Sequence, residues 1–235
     1  MLTDIFASFD PHNYNNLLPM NQMMYNMIMM LAPITFYIML PDMWLEFNRM
    51  KTSLIQTVKI MYLQAMRTKS KMLKGYSITV TSVFMMIIAM NTMGMLAYSF
   101  SPTSQLMVTL SLGLPLWATL TISSMMKNKK EFLAHLLPAG APLWLNPFLV
   151  MIETVSVLVR PLTLSFRLAA NMTAGHIVLA LMGMYLSSAL LYFSMNTFML
   201  MFVCSTYVVF ELAICLIQAY IFCLLLTLYT DDHTS

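Results

Sequence analysis

Charge is what this chain most lacks. Only 9% of its 235 residues are charged, while 60% are hydrophobic and the mean hydropathy is +0.76. A soluble domain carries about 25% charged residues, so a water-facing surface is excluded and a bilayer is the natural solvent. The length leaves room for about five or six membrane spans at roughly 20 residues each. The net charge of +3 says little alone, because in a membrane protein the position of each charge matters more.

Other scarcities exclude further classes. The first 48 residues contain no Lys or Arg, and Asp4 and Asp10 lie near the start. Neither a basic signal-peptide n-region nor an Arg-rich, acid-poor transit peptide is therefore expected. Cys204, Cys215 and Cys223 are an odd set without CxxC spacing, all in one apolar stretch. They read as buried thiols, with no disulfide and no metal site expected. No Gly-rich phosphate loop is present, so the chain binds no nucleotide itself, and no cofactor is expected. A haem carrier needs histidines paired across helices, yet His12, His135 and His233 lie in polar segments and leave His176 alone. Buried mid-span lysines, expected of an antiporter-type subunit, are also missing.

One residue is in excess. The chain has 28 methionines. Met serves as flexible apolar filler, but a mitochondrial genetic code that reads an isoleucine codon as Met accounts for the number better. The chain then belongs to the organelle that makes it.

The charges that do occur divide the chain. Residues 1–41 form a polar tail and a first span, Met23 to Leu40, uncharged and interrupted only by Pro33. Residues 42–75 hold Arg49, Lys51, Lys59, Arg67, Lys69, Lys71 and Lys74, seven of the twelve cations. Within them Phe47, Met50, Leu54, Val58, Met61 and Ala65 recur at three- and four-residue spacing, with Trp44 at the edge. That pattern predicts an amphipathic helix on the membrane surface. Spans at about 76–100 and 104–126 make a two-span unit over 76–126, and 127–147 is a basic loop. From 148 to 235 two long helices are predicted, about 148–191 and 197–229, broken only by a turn-like Ser194-Met195-Asn196-Thr197. The first, at 1.5 Å per residue, runs to about 65 Å, roughly twice the hydrocarbon thickness, and must tilt steeply. The expected fold is all-α and membrane-integral: five spans, one surface helix, and a long tilted hairpin at the end.

Ten of the twelve cations fall in alternate connections, and the loops near 101–104 and 192–197 carry no charge. The positive-inside rule puts the basic connections on the matrix side, with the N-terminus outward and the C-terminus inward.

Within the hairpin's apolar body lie Glu153, Arg160, Arg167, His176 and Glu211. Each ionisable group at such depth costs about 2.5–3.5 kcal/mol on lenient scales, so function is the default reading over a structural ion pair. Glu153, Arg160 and Arg167 are seven apart and share a face, with about 20° of drift per step. Around Arg167 that face continues as Thr163, Ala170, Asn171 and Ala174, small enough for another helix to come close. A fold-back centred near Phe193 and Ser194 sets His176 level with Glu211 and Arg167 level with Gln218.

The segment Arg167-Leu-Ala-Ala-Asn171-Met-Thr-Ala-Gly175-His176 resembles the signature of subunit a of F-type ATP synthases. Glu211-Leu-Ala-Ile-Cys-Leu-Ile-Gln218-Ala-Tyr resembles that family's last helix. The likeness covers the chain from about residue 76, and the first 75 residues match in layout alone. His176 and Glu211 follow the mitochondrial version. The resemblance implies a non-catalytic, proton-translocating subunit of the synthase in the mitochondrial inner membrane. It implies that Arg167 is the essential stator charge facing the carboxylates of a rotor c-ring. His176 and Glu211 then belong to a half-channel open outward, Glu153 to one open to the matrix, and Asn171 and Gln218 are polar neighbours of the arginine. Arg160 is not in the family's invariable set. The implied partners are the c-ring, peripheral-stalk and other membrane subunits, lipid, and a second copy of the complex, with no nucleic acid. The alternative is a proton-translocating subunit of a respiratory complex or antiporter.

Chemistry is consistent with these roles. A guanidinium stays charged and does not relay protons, so it blocks a leak between half-channels and favours the ionised form of an approaching carboxylate. A carboxyl group and an imidazole both suit a relay.

Overall fold

The computed structural model describes residues 49–95, 101–127, 129, 143–191 and 195–231. The expected first span at 23–40, Trp44, Phe47 and most of the basic loop at 127–147 lie outside the described residues. The described residues are helical throughout their regular parts. They form α1 (Arg49–Arg67), α2 (Tyr76–Gly94), α3 (Leu106–Lys127), α4 (Asn146–Leu190) and α5 (Met195–Asp231). Short 3-10 turns occupy Lys69–Met72, Pro102–Ser104 and Leu143–Leu145. Four of the helices, α2 to α5, are long and apolar enough to cross a membrane.

The apolar spacing read from the sequence is visible in α1. Met61 and Ala65 are buried and Val58 packs beside them, while Lys59 and Arg67 are exposed. The predicted surface helix at 42–75 is shorter where described: α1 ends at Arg67 and a 3-10 turn follows. Gly75 then turns the chain into α2 with φ +82°, a left-handed conformation that a side chain disfavours.

The turn and the start of α2 dock on the end of α5. The Lys69 amide donates to Asp231 Oδ1 at 2.8 Å. The Tyr76 hydroxyl donates to the Leu226 carbonyl at 3.2 Å, and Gln64 Nε2 donates to the Tyr220 hydroxyl at 3.0 Å. The basic turn and the C-terminal end of α5 therefore share one end of the bundle. The core between α1, α2 and α5 is built from Met61, Val80, Phe84, Ile87, Phe222 and Leu226.

On the far side, α3 packs along α4. Gly113 faces the Pro161 carbonyl and Ser165, and a Cβ added there would make ordinary contact with each at 3.8 Å. Pro161 lies within α4, which continues unbroken through it. With 45 and 37 residues, α4 and α5 run about 68 Å and 56 Å. Much of their surface is exposed apolar side chain, including Phe148, Met151, Val155, Phe198 and Phe202. In water such patches mark an interface; here they suit lipid and partner helices.

Candidate functional site

The site grows from the contact of α4 with α5. Going inward from their connection, Gly175 meets Glu211, Met172 Sδ lies 3.5 Å from Cys215 Sγ, and Leu168 and Arg167 share a cleft with Gln218. Further on, the Arg160 guanidinium stacks 5.5 Å from the centre of the Tyr229 ring. Partners at every level are nearly equidistant from the connection between Leu191 and Met195, which makes the two helices antiparallel along this stretch.

Glu211 is the most enclosed of the predicted site residues. It is 3% exposed, and neither carboxylate oxygen has a hydrogen-bond partner. A buried carboxyl group without partners costs several kcal/mol, which points to function rather than packing. Gly175, beside His176, is glycine for a reason visible only from α5. A Cβ there would fall within the Glu211 carboxylate. His176 is half-buried on α4. Since both Glu211 oxygens lack hydrogen-bond partners, His176 does not bond them directly.

The two arginines part company. The sequence makes both look buried, but Arg167 is exposed. It lines a cleft with Leu164, Leu168, Gln218, Ile221 and Phe222. Beside it Thr163, Ala170 and Ala174 are also exposed, with Asn171 half-buried. Among the described residues no acid pairs with Arg167. The reason for the difference is that nothing among the described residues covers this face of α4. Arg160 is engaged: its Nη2 lies 3.7 Å from Glu153 Oε1, and its charge stacks on Tyr229. The structural ion pair weighed against function thus exists, two turns along the same face of α4. Both members remain partly exposed, at 33% and 39%, so the pair contributes little net stability, about 0–1 kcal/mol.

Cys215 and Cys223 are buried, Cys204 is half-buried, and all three are free thiols. Sequence reasoning passed over Asn91 and Thr103, both buried and polar. Asn91 interrupts an apolar run, which is the only signal it gives.

Comparison with known proteins covers most of the chain. A family model described as the ATP synthase A chain matches residues 17–231. ATP synthase subunit a of Albinaria caerulea is 48% identical over 153 residues, covering 65% of this chain and 71% of the relative. ATP synthase F(0) complex subunit a of Didelphis virginiana is 36% identical over 197 residues, covering 83% and 85%. That of Papio hamadryas is 38% identical over 190 residues, covering 80% and 83%.

Proposed function

This chain belongs to the family of the ATP synthase A chain, a proton-transporting membrane subunit of the F0 sector, and from that premise we propose how its residues divide the work. The chain forms the stator side of two offset half-channels, through which protons reach and leave the carboxylates of a rotor c-ring to drive ATP synthesis. Arg167 is the fixed charge between the two. His176 and Glu211 serve the outer half-channel and Glu153 the matrix one, while Asn171 and Gln218 flank the arginine.

One observation carries this reading. Arg167 is a cation exposed among small side chains, with no acid of the described chain to neutralise it. A lone charge in a bilayer calls for a partner. The small face of Thr163, Ala170 and Ala174 lets a passing helix bring one within reach. Each proton that crosses is worth about 2.3 kcal/mol per 100 mV. A single ATP needs several, so the partner must return repeatedly, as a rotating ring does.

The test is proximity. With cysteine placed at Ala170 or Ala174 and along the rotor helix, oxidation of the assembled complex is expected to give cross-links between the two subunits. Cysteine at Ile78, exposed on α2, serves as the control and is expected to give none. Cross-links from Ile78 alone would exclude the α4 face as the rotor surface.

The setting is the mitochondrial inner membrane, with peripheral-stalk and other membrane subunits and a second complex as further neighbours. Crossing about 30 Å of hydrocarbon with helices as long as α4 and α5 requires a steep tilt. The clustered cations put the end of the bundle that holds Lys69, Lys71 and Asp231 in the matrix. Cysteine in place of Lys71 is expected to react with an impermeant thiol reagent in inverted vesicles and to be protected in mitoplasts. The reverse pattern overturns the orientation.

A further inference from the structure

Cys215 on α5 and Met172 on α4 are both buried, and the Cys215 thiol donates to Met172 Sδ at 3.5 Å. Two buried sulfurs in contact have a bland reading, as apolar filler with a weak hydrogen bond. Their surroundings call for more than that. One turn back along α5, Glu211 is buried with neither carboxylate oxygen partnered among the described residues. One turn on along α4, Gly175 leaves the space that this carboxylate takes. The contacts Met172–Cys215 and Gly175–Glu211 are therefore neighbouring rungs, about 4.5–6 Å apart along antiparallel helices. Gly94 of α2 backs the thioether, since a Cβ there would lie 3.4 Å from Met172 Cε. A thiol, a thioether and a carboxylate from two helices thus converge on one enclosed spot, with a third helix behind it.

That donor set has a chemical preference. Thiolate and thioether are soft ligands that select cuprous-type ions, whereas hard ions take all-oxygen sets and structural zinc takes four ligands. Among the described residues no three of His, Cys, Asp and Glu come together to hold a metal. Cysteine spacing alone predicts no metal site, because the second sulfur here comes from a methionine on another helix. Sulfurs 3.5 Å apart can both reach one ion through bonds of about 2.3 Å, the length of a zinc–sulfur bond.

We propose that Cys215 and Met172, with Glu211 as third donor, form a binding site for a soft monovalent cation of the cuprous class. As the bond from Sγ to the ion forms, the S–H bond breaks and the proton leaves to water. The ion's single positive charge cancels that of the thiolate, so the pair is buried without net charge. An oxygen of Glu211 completes the ligand set. Occupancy ties up this carboxylate and stops pumping. That consequence, and the ion's way in, rest on Glu211 being a proton-path acid; the ligand set itself does not.

The probe is silver ion, a soft monovalent cation that needs no reductant. Silver bound per complex and proton pumping are measured together on the intact complex in vesicles, with assembly checked on native gels. Cys215→Ser is expected to pump at the parent rate without silver and to hold one ion fewer per complex. Its half-inhibition is expected to need at least roughly tenfold more silver, since even partners outside a ligand set cost that much in affinity. Met172→Leu keeps the volume and is expected to weaken binding by roughly tenfold. Cys223→Ser is the control on the same helix, where the thiol faces the Val80 carbonyl at 3.8 Å, and is expected to behave as the parent. Equal silver content and sensitivity in Cys215→Ser and parent overturns the proposal. Unchanged affinity in Met172→Leu reduces the site to a lone thiol and overturns it as well. If Cys215→Ser does not assemble, Met172→Leu decides alone. Glu211→Gln in the same series separates the two levels of inference. Normal pumping there removes the proton-path reading, whereas a block there beside silver binding indifferent to Cys215 and Met172 removes only the metal site.

Discussion

Glu211→Gln is expected to lower proton pumping by on the order of a hundredfold, the low end of what a positioned acid–base group contributes, while the complex still assembles. The two halves of that expectation have separate causes. Neither oxygen of Glu211 makes a hydrogen bond, so an amide of the same shape loses no interaction that holds the bundle together. What it loses is the ability to take up and release a proton. Gly175→Ala sharpens the argument without touching the acid. The added methyl would fall on the Glu211 carboxylate, the flexible end of a side chain, so the carboxylate swings away and the helices stay packed. Pumping is expected to fall by roughly tenfold, from misplacement of a relay group alone. Pumping measured per assembled complex checks both variants, and a Glu211→Gln complex that pumps at the parent rate takes Glu211 out of the path.

Helix extents were legible because apolar runs and polar interruptions set them directly. The span expected at about 76–100 is α2, Tyr76–Gly94; that at 104–126 is α3, Leu106–Lys127; and the long helices begin and end within about two residues of their expected limits. Levels along the last two helices were legible as well, since counting outward from a turn needs no tertiary information. It is why Arg167 and Gln218 share a cleft and why Glu211 meets the residue next to His176. What counting does not reveal is which atoms lie across the gap. Arg160 and Arg167 are seven apart and look alike until Tyr229 is seen stacking on the first and nothing in the described chain covering the second. Gly175 looks like any small residue in a helix until the Glu211 carboxylate appears where its side chain would be. Asn91 lies beside Thr92 in an apolar run and Thr103 in the polar turn between Ser101 and Gln105, and their burial depends on how α2 and its connection dock against α4 and α5. These features belong to the packing of distant segments, and no local pattern encodes them.

The remaining expectation concerns the two arginines, which sequence spacing makes equivalent and packing separates. Arg167→Gln is expected to abolish ATP-driven proton pumping with the complex assembled. Arg167 forms no ion pair within the described chain, so its loss leaves no acid stranded and no internal contact broken. On the proposed reading the charge itself is the function, since it would meet a rotor carboxylate and bar direct transfer between half-channels. Arg167→Lys is expected to fail too. A lysine ammonium sheds its proton readily in a dry site, whereas a guanidinium does not, and it lacks the planar fork that binds a carboxylate through two bonds. Arg160→Gln is expected to retain most of the activity. Its ion pair with Glu153 is partly exposed, so breaking it costs at most about 1 kcal/mol, and its stacking on Tyr229 adds roughly 0.5–1 kcal/mol at such a site. Losses of that size loosen one end of a long helix pair without removing a step from the proton path. Proton pumping in reconstituted vesicles, with assembly verified on native gels, decides between the two positions. Equal loss from Arg160→Gln and Arg167→Gln would sink the assignment of Arg167 as the single stator charge, and robust pumping by Arg167→Lys would show that any cation suffices there.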